Sequence, residues 1–185
     1  MAVEVRMGSF ALSATADPTT QVVSFSSAMA AAPAAIIFWG SRPTTDGWTT
    51  GTSPFFGFAT SSTERACYCM SAQNALTTTQ ATRAASLTHC IYWYFRSTNH
   101  ASCDINTWDT DGFTLDIESG DQSARKVHYL AITGCSAKIT THTQPTDSTP
   151  TAFTGVGFTP KLQFILTNVR TGVTIFYECI NNEGC

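Results

Sequence analysis

The stretch TAFTGVGFTPKLQFILTN, residues 151–168, decides how the rest of the chain is read. Its first half carries Gly155, Gly157 and Pro160; its second half runs through Leu162, Phe164, Ile165 and Leu166. Glycine supplies backbone angles that other residues avoid, and proline fixes φ and withholds an N–H. A strand cannot continue through such punctuation but starts directly after it. The same grammar occurs at residues 22–40, where VVSF leads through small residues to Pro33 and then AAIIFWG. Superposing Pro33 on Pro160, 127 positions apart, sets AAIIFWG against KLQFILT. Repetition at a fixed offset bears on the whole architecture. The reading is two starts of one β unit, the first complete and the second cut off early.

A length of 185 residues accommodates one ordinary domain, or one domain and part of another. Charged residues make up 12% of the chain, about half the usual share, and Thr, Ser and Ala take their place. An aromatic content of 11% and recurrent apolar runs exclude disorder. A surface of hydroxyls and small residues suits a protein held in an assembly, although a neutral soluble domain has the same composition. The net charge is −3 and the ten basic residues are scattered, which argues against nucleic acid as a partner. No apolar run approaches the roughly 18 residues that span a bilayer, so no membrane role is expected. The opening MAVEVRMGSFAL lacks the apolar core of a secretory signal. The expectation is a protein that matures where it is made, or leaves by lysis or as part of a particle. The seven cysteines (Cys67, Cys69, Cys90, Cys103, Cys135, Cys179, Cys185) then read as reduced thiols on buried strand faces. Their number is odd, so at least one stays single or pairs between chains, with Cys185 the most exposed.

In chain order, residues 3–12 predict a first strand in which Val3, Val5 and Met7 alternate with Glu4 and Arg6. Residues 21–25 resume after Asp17-Pro18, and AMAAAPAA at 28–35 reads as a loop because Pro33 interrupts any helix. Residues 35–39 form a strand buried on both faces, followed by a long Gly- and Pro-rich loop over 40–54 that carries Trp48. Residues 55–60 and 65–71 form a strand pair, with Cys67 and Cys69 on one face. Residues 72–86, rich in threonine, read as a loop or irregular edge. HCIYWYF at 89–95 looks covered on both faces and is expected to be a central strand. Residues 103–108 are short and extended, and Asp109-Thr-Asp111-Gly112 is a tight turn. Residues 113–118 alternate with Phe113, Leu115 and Ile117 inward. Strands follow at 126–133, 137–141 and 172–180. About a dozen short strands and no substantial helix predict an all-β fold, a β-sandwich of jelly-roll-like character. Three regions are expected: a sandwich domain at 1–142, a linker-like stretch at 143–152, and residues 153–185. The last is either the start of a second, incomplete copy or a set of closing strands packed on the first domain or a neighbour.

No chemical signature rises above its structural explanation. Asp109-Thr-Asp111-Gly112 opens like a calcium loop but lacks the third ligand and the closing glutamate, and a hairpin turn accounts for it. Asp104, Asp109, Asp111, Asp116, Glu118 and Asp121 hold six of the thirteen acids. They offer carboxylate pairs for glycoside cleavage, but a solvated hairpin rim explains them as well. Cys67, Cys69, His89, Cys90, His100 and Cys103 include enough zinc ligands in type, but not in knuckle spacing. Trp39, Trp48, Trp93 and Trp108 are candidates for sugar stacking and equally for core anchors. No nucleophile elbow or phosphate loop is present. The expectation is a protein without enzymatic activity, catalytic residues, metal or cofactor.

Taken together, GVGFTPKLQFIL (155–166), DTDGFTLDI (109–117) and VHYLAITG (127–134), with FGFA at 56–59, resemble repeated β units of tailed-bacteriophage structural proteins. The first copy departs from that pattern, with Ala32-Pro33 where Gly-Phe-x-Pro is usual, and the second stops after two strands. The resemblance implies a virion component, either a capsid decoration or cement protein or a tail or fibre module. Its partners would be major capsid or tail proteins and further copies of itself, trimers among the closed rings. The alternative is a carbohydrate-binding adhesin using Trp48 or Trp108, and after it a glycan hydrolase using the acidic rim.

Overall fold

The computed structural model describes residues 2–15, 19–41, 52–72, 81–95, 98–120, 123–143, 152, 154–167 and 174–181. The described residues form strands, turns and bends with no helix, so none of them crosses a membrane as a helix. The strands are β1 (Glu4–Ala11), β2 (Thr19–Ser24), β3 (Ala35–Gly40), β4 (Phe55–Ala59), β5 (Arg65–Ala72), β6 (Ala81–Ser86) and β7 (Ile91–Phe95). They continue with β8 (Thr98–Asp109), β9 (Gly112–Ser119), β10 (Lys126–Thr133), β11 (Ser136–Thr143), β12 (Leu162–Thr167) and β13 (Thr174–Asn181). Every named pairing is antiparallel.

A six-stranded sheet in the order β1-β10-β3-β4-β5-β6 faces a four-stranded sheet in the order β2-β9-β8-β7. The protein is thus an all-β sandwich. Strand alternation supplies the core between the layers. Ile36 and Phe38 on β3, Phe55 on β4, Cys67 and Cys69 on β5 and Val127 and Tyr129 on β10 enter it from one sheet. Val23, Ile91, Trp93, Ile105, Phe113, Leu115 and Ile117 enter it from the other. Burying each large side chain contributes about 1.5–3 kcal/mol. Phe113, the first inward residue after the β8–β9 turn, meets Phe38 at 5.6 Å and Tyr129 at 5.3 Å, both edge to face. Edge-to-face pairs add roughly 0.5–1.5 kcal/mol beyond area burial.

The opposite face of β3, β4 and β5 presents Ile37, Phe58 and Ala66, which cluster with Ile139 of β11 and with Phe164 of β12. These two strands belong to a three-stranded sheet in the order β11-β13-β12. Both proline-led strands begin two residues after their proline, β3 after Pro33 and β12 after Pro160. Gly155 and Gly157, at φ 85°, take the left-handed backbone that their position before Pro160 requires. Their surroundings differ: β3 lies between β10 and β4, whereas β12 is an edge paired with β13.

Three expectations are corrected. Residues 81–86 are a strand, β6, at the edge of the six-stranded sheet, because Cys67 to Ala72 of β5 pair with them in register. The extended segment around 103–108 is part of a twelve-residue strand, β8, with two register shifts against β9. The aromatic strand β7 is an edge of its sheet rather than a central strand. It is covered because β5 of the facing sheet closes over that edge. Tyr92 donates its N–H to the Cys67 thiol at 3.2 Å, and Tyr94 donates to Cys69 at 3.3 Å. The Cys69 thiol in turn reaches the Tyr94 carbonyl at 3.3 Å, and Ser53 donates to the same oxygen at 2.9 Å. Two thiols and a serine thus occupy the places of a missing strand's peptide groups.

The seam also fixes a glycine. A Cβ on Gly57 of β4 would stand 1.7 Å from the Cys90 carbonyl oxygen, a backbone atom that cannot swing aside. Gly57→Ala is therefore expected to cost about 3 kcal/mol in urea unfolding. Gly157→Ala, with nothing within 4 Å of its added methyl, costs only the left-handed backbone, about 1–2 kcal/mol. A Gly57 variant as stable as the parent contradicts the close approach of the sheets.

Candidate interaction face

The described surface concentrates its exposed apolar side chains on the outer side of the six-stranded sheet. Val5 (46% exposed) and Met7 (70%) stand on β1, Phe56 (45%) on β4 and Met70 (44%) on β5. Strand register sets them in rows: Met7 opposite Leu130, Leu130 opposite Ile37, and Ile37 opposite Phe58. The adjacent row runs from Ser9 to His128, Trp39, Phe56 and Tyr68. Trp39 and His128 stack at 5.7 Å with 16° between their planes. The sheet holding β11 and β12 covers Ile37 and Phe58, and the exposed residues flank that cover.

Hydrophobic alternation by itself assigns Val5 and Met7 to a core. The inner side of β1 is taken instead by Glu4, Arg6, Gly8 and Phe10. Arg6 donates to the carbonyls of Ser27 at 3.0 Å and Ala28 at 2.8 Å, and Glu4 accepts the Ala30 N–H at 3.2 Å. Gly8 lies under the Tyr129 ring, where an added Cβ would meet the hydroxyl at 2.5 Å and would have to move that side chain. These contacts fix the parity of β1 and turn its best hydrophobes to the outside.

A polar cluster lies where the seam ends. Arg65 forms an ion pair with Asp104, and its Nε donates to the Thr88 carbonyl at 2.7 Å. His89 bridges two partners, Ser86 Oγ at 2.6 Å from Nδ1 and Glu118 Oε2 at 2.7 Å from Nε2. A carboxylate only accepts, so Nε2 donates to Glu118, and Nδ1 shares a hydrogen bond with the Ser86 hydroxyl. The cluster ties the end of β6 to β9 across the open side of the sandwich. Burial raises the Asp104 carboxyl above its ordinary value, against the pull of Arg65 and of the Ile105 N–H. Burial likewise raises the Cys67 and Cys90 thiols well above theirs and the Cys69 thiol above its own. These three cysteines are structural thiols with suppressed nucleophilicity.

The residues singled out in the sequence fall apart as a site. Asp109 pairs with Gly112 across the turn, and the carbonyls of Thr110 and Asp111 accept the N–H groups of Met29 and Phe25 at 2.7 Å each. Gly112 is needed there for closeness to β2, since a Cβ would meet the Val23 carbonyl oxygen at 2.3 Å. Asp104 faces Asp116 across β8 and β9, and Glu118 is spent on His89. Cys67 and Cys69 share the inward face as their spacing predicts. Among the described residues no three His, Cys, Asp or Glu side chains form a group that holds a metal ion. Trp93 is buried with its indole N–H on the Ser53 carbonyl at 2.9 Å, and Trp108 packs against the core. Trp48, Asp121, Cys185 and the His100 side chain lie outside the described residues, as does most of the linker-like stretch. No family model, curated protein or solved structure matches the chain.

The raised Asp104 carboxyl has a signed consequence. The folded state holds this proton to a higher pH than the unfolded chain, whose aspartate titrates near about 4. Stability contributed here is therefore present below that value and falls as pH rises through the raised folded value. Urea unfolding of the parent and of Asp104→Asn across mildly acidic pH is expected to show the parent losing ground to the variant as pH rises. A parent that gains ground means that the Arg65 pairing outweighs burial.

Proposed function

We propose that this chain is a non-enzymatic structural component of a bacteriophage virion, bound to the capsid lattice as a decoration or cement protein or built into the tail or fibre. The observation that carries the reading is the group of exposed apolar residues Val5, Met7, Phe56 and Met70 on the outer side of the six-stranded sheet, on either side of the strands that cover Ile37 and Phe58. Exposed apolar residues gathered on a single sheet face mark an interaction surface, whereas scattered ones need no explanation. The low charge and the likeness of its turn-and-strand segments to phage structural repeats support the same reading. Such a protein stabilises a shell by mass action, binding the assembled lattice and burying surface between neighbours. Its partners are virion proteins and copies of itself.

The test is co-sedimentation with purified particles of the phage that encodes the chain. The parent is expected in the particle fraction by mass spectrometry, and Met7→Glu with Phe56→Glu is expected in the supernatant. Both positions are exposed, so the variant should keep the parent's circular-dichroism melting curve. A parent absent from purified particles overturns the proposal.

A further inference from the structure

The polar cluster at the end of the seam contains a chemical constellation that the virion reading does not use. Ser86 ends β6, His89 stands just before β7, and Glu118 lies near the end of β9. Ser86 Oγ is 2.6 Å from His89 Nδ1, and His89 Nε2 is 2.7 Å from Glu118 Oε2. A hydroxyl, an imidazole and a carboxylate in series are the arrangement of a nucleophile, its general base and the group that orients the base. Glu118 sets the order: it holds a proton on Nε2, so the neutral ring has only Nδ1 with which to accept from a hydroxyl. Stacking on Tyr92, at 5.3 Å with 29° between the planes, also holds the ring. Folding builds the set, since Glu118 is 29 residues away from His89 along the chain. Ser86 and His89 are partly buried, and Leu87 and Thr88 between them are exposed, so this turn borders solvent.

We propose that Ser86 is an activated nucleophile that accepts an acyl group from an ester with a good leaving group, an aryl ester or a thioester. Ser86 Oγ bonds to the acyl carbon as its proton passes to His89 Nδ1. The carbon–oxygen or carbon–sulfur bond to the leaving group breaks, and the departing phenolate or thiolate takes that proton. The products are O-acyl Ser86 and a free phenol or thiol, with His89 neutral again. The cluster favours this single step over turnover because its other donors are committed. Arg65 Nε donates to the Thr88 carbonyl at 2.7 Å, and the Arg65 amino groups reach the Ser62 carbonyl and Asp104. The Thr88 N–H is turned on Ser86 Oγ itself at 3.2 Å. A donor aimed at the oxyanion is worth about 100- to 1,000-fold in rate. With these donors drawn elsewhere, only a leaving group that departs readily lets the reaction proceed. The acyl group then stays on serine, whose alkoxide leaves far less readily than a phenolate or thiolate. Ser86 is thus a modification site rather than a centre of turnover, and the inference stands beside the virion reading without resting on it.

The test exposes the full chain to p-nitrophenyl acetate and maps acetylation by peptide mass spectrometry. Ser86 is expected to be acetylated in the folded chain and not in the urea-unfolded one. The parent is expected to release a single equivalent of p-nitrophenol beyond that released by Ser86→Ala. His89→Gln is expected to slow Ser86 acetylation roughly 100-fold. Glu118 acts through His89 as a positioning residue. Glu118→Ala is expected to slow labelling, and Glu118→Gln, whose amide oxygen still accepts from Nε2, to restore part of the rate. Thr88→Val is expected to react like the parent, although Thr88 Oγ1 also lies 3.0 Å from Nδ1. Circular-dichroism melting checks each fold, and the parent's own peptide map decides the question where a variant melts early. Ser86 acetylated no faster than the exposed Ser9 and Ser26, or equally fast in the unfolded chain, overturns the inference. Labelling at Thr88 in place of Ser86 overturns it too. Release of p-nitrophenol that runs past one equivalent and is lost in Ser86→Ala shows turnover, and overturns both the single modification and the non-enzymatic reading. Co-sedimentation with virions depends on neither result, so the particle location stands or falls separately.

Discussion

The structure depends on how one exposed strand edge is satisfied. The free side of β7 carries the peptide groups of Tyr92 and Tyr94, and no described strand lies beside it in its own sheet. Left bare in a covered position, such groups cost about 1–3 kcal/mol each. Cys67 and Cys69 meet them from the facing sheet, with Tyr92 N–H on one thiol and Tyr94 N–H on the other. The spacing of two residues along β5 matches the spacing of two along β7, so both strands must keep their alternation for both bonds to form. A thiol suits the place because it is small, apolar enough for the core and able both to accept and to give a weak hydrogen bond. Burial keeps these thiols protonated and therefore able to donate.

Closure at this seam determines what the outer faces are. Because β5 leans over β7, its inward side is committed to thiols, and its outward side, with Tyr68 and Met70, joins β4 and β3 in one continuous sheet face. Gly57 allows the backbones to approach at the same point, and the Arg65–Asp104 and His89–Glu118 pairs finish the end of the seam with polar contacts. At the far edge, Arg6 and Glu4 clasp the loop at 27–30 and leave Val5 and Met7 outside. The apolar face is thus a by-product of how both edges of the sheet are tied down.

Features set by neighbours in sequence were legible, and features set by neighbours in space were not. The period of two in FTLDIE around Phe113, Leu115 and Ile117 needs only the strand's own residues, and the proline-led strand starts need only Gly155, Gly157, Pro33 and Pro160. Cys67 and Cys69 were placed on one face by spacing alone, but their task on another strand's edge depends on a contact that no local pattern encodes. The aromatic run of β7 reads as central because both its faces are covered, and sequence does not distinguish cover from a paired strand from cover by a leaning sheet. The threonine-rich segment before Ser86 hid β6, whose strand character comes from pairing with β5 rather than from its own apolar residues. The exposed face escaped for a similar reason: Val5 and Met7 look like core residues until the contacts of Arg6 and Glu4 with the 27–30 segment fix the parity of β1.

Native-state hydrogen exchange at Tyr92 and Tyr94 tests the seam most directly. If the thiols stand in for a strand, these two amides exchange as slowly as that of Leu115 in the interior of its sheet, opening only with global unfolding. Exchange at the rate of an open sheet edge, with Leu115 still protected, would show that β7 is not closed by Cys67 and Cys69 and would contradict the account.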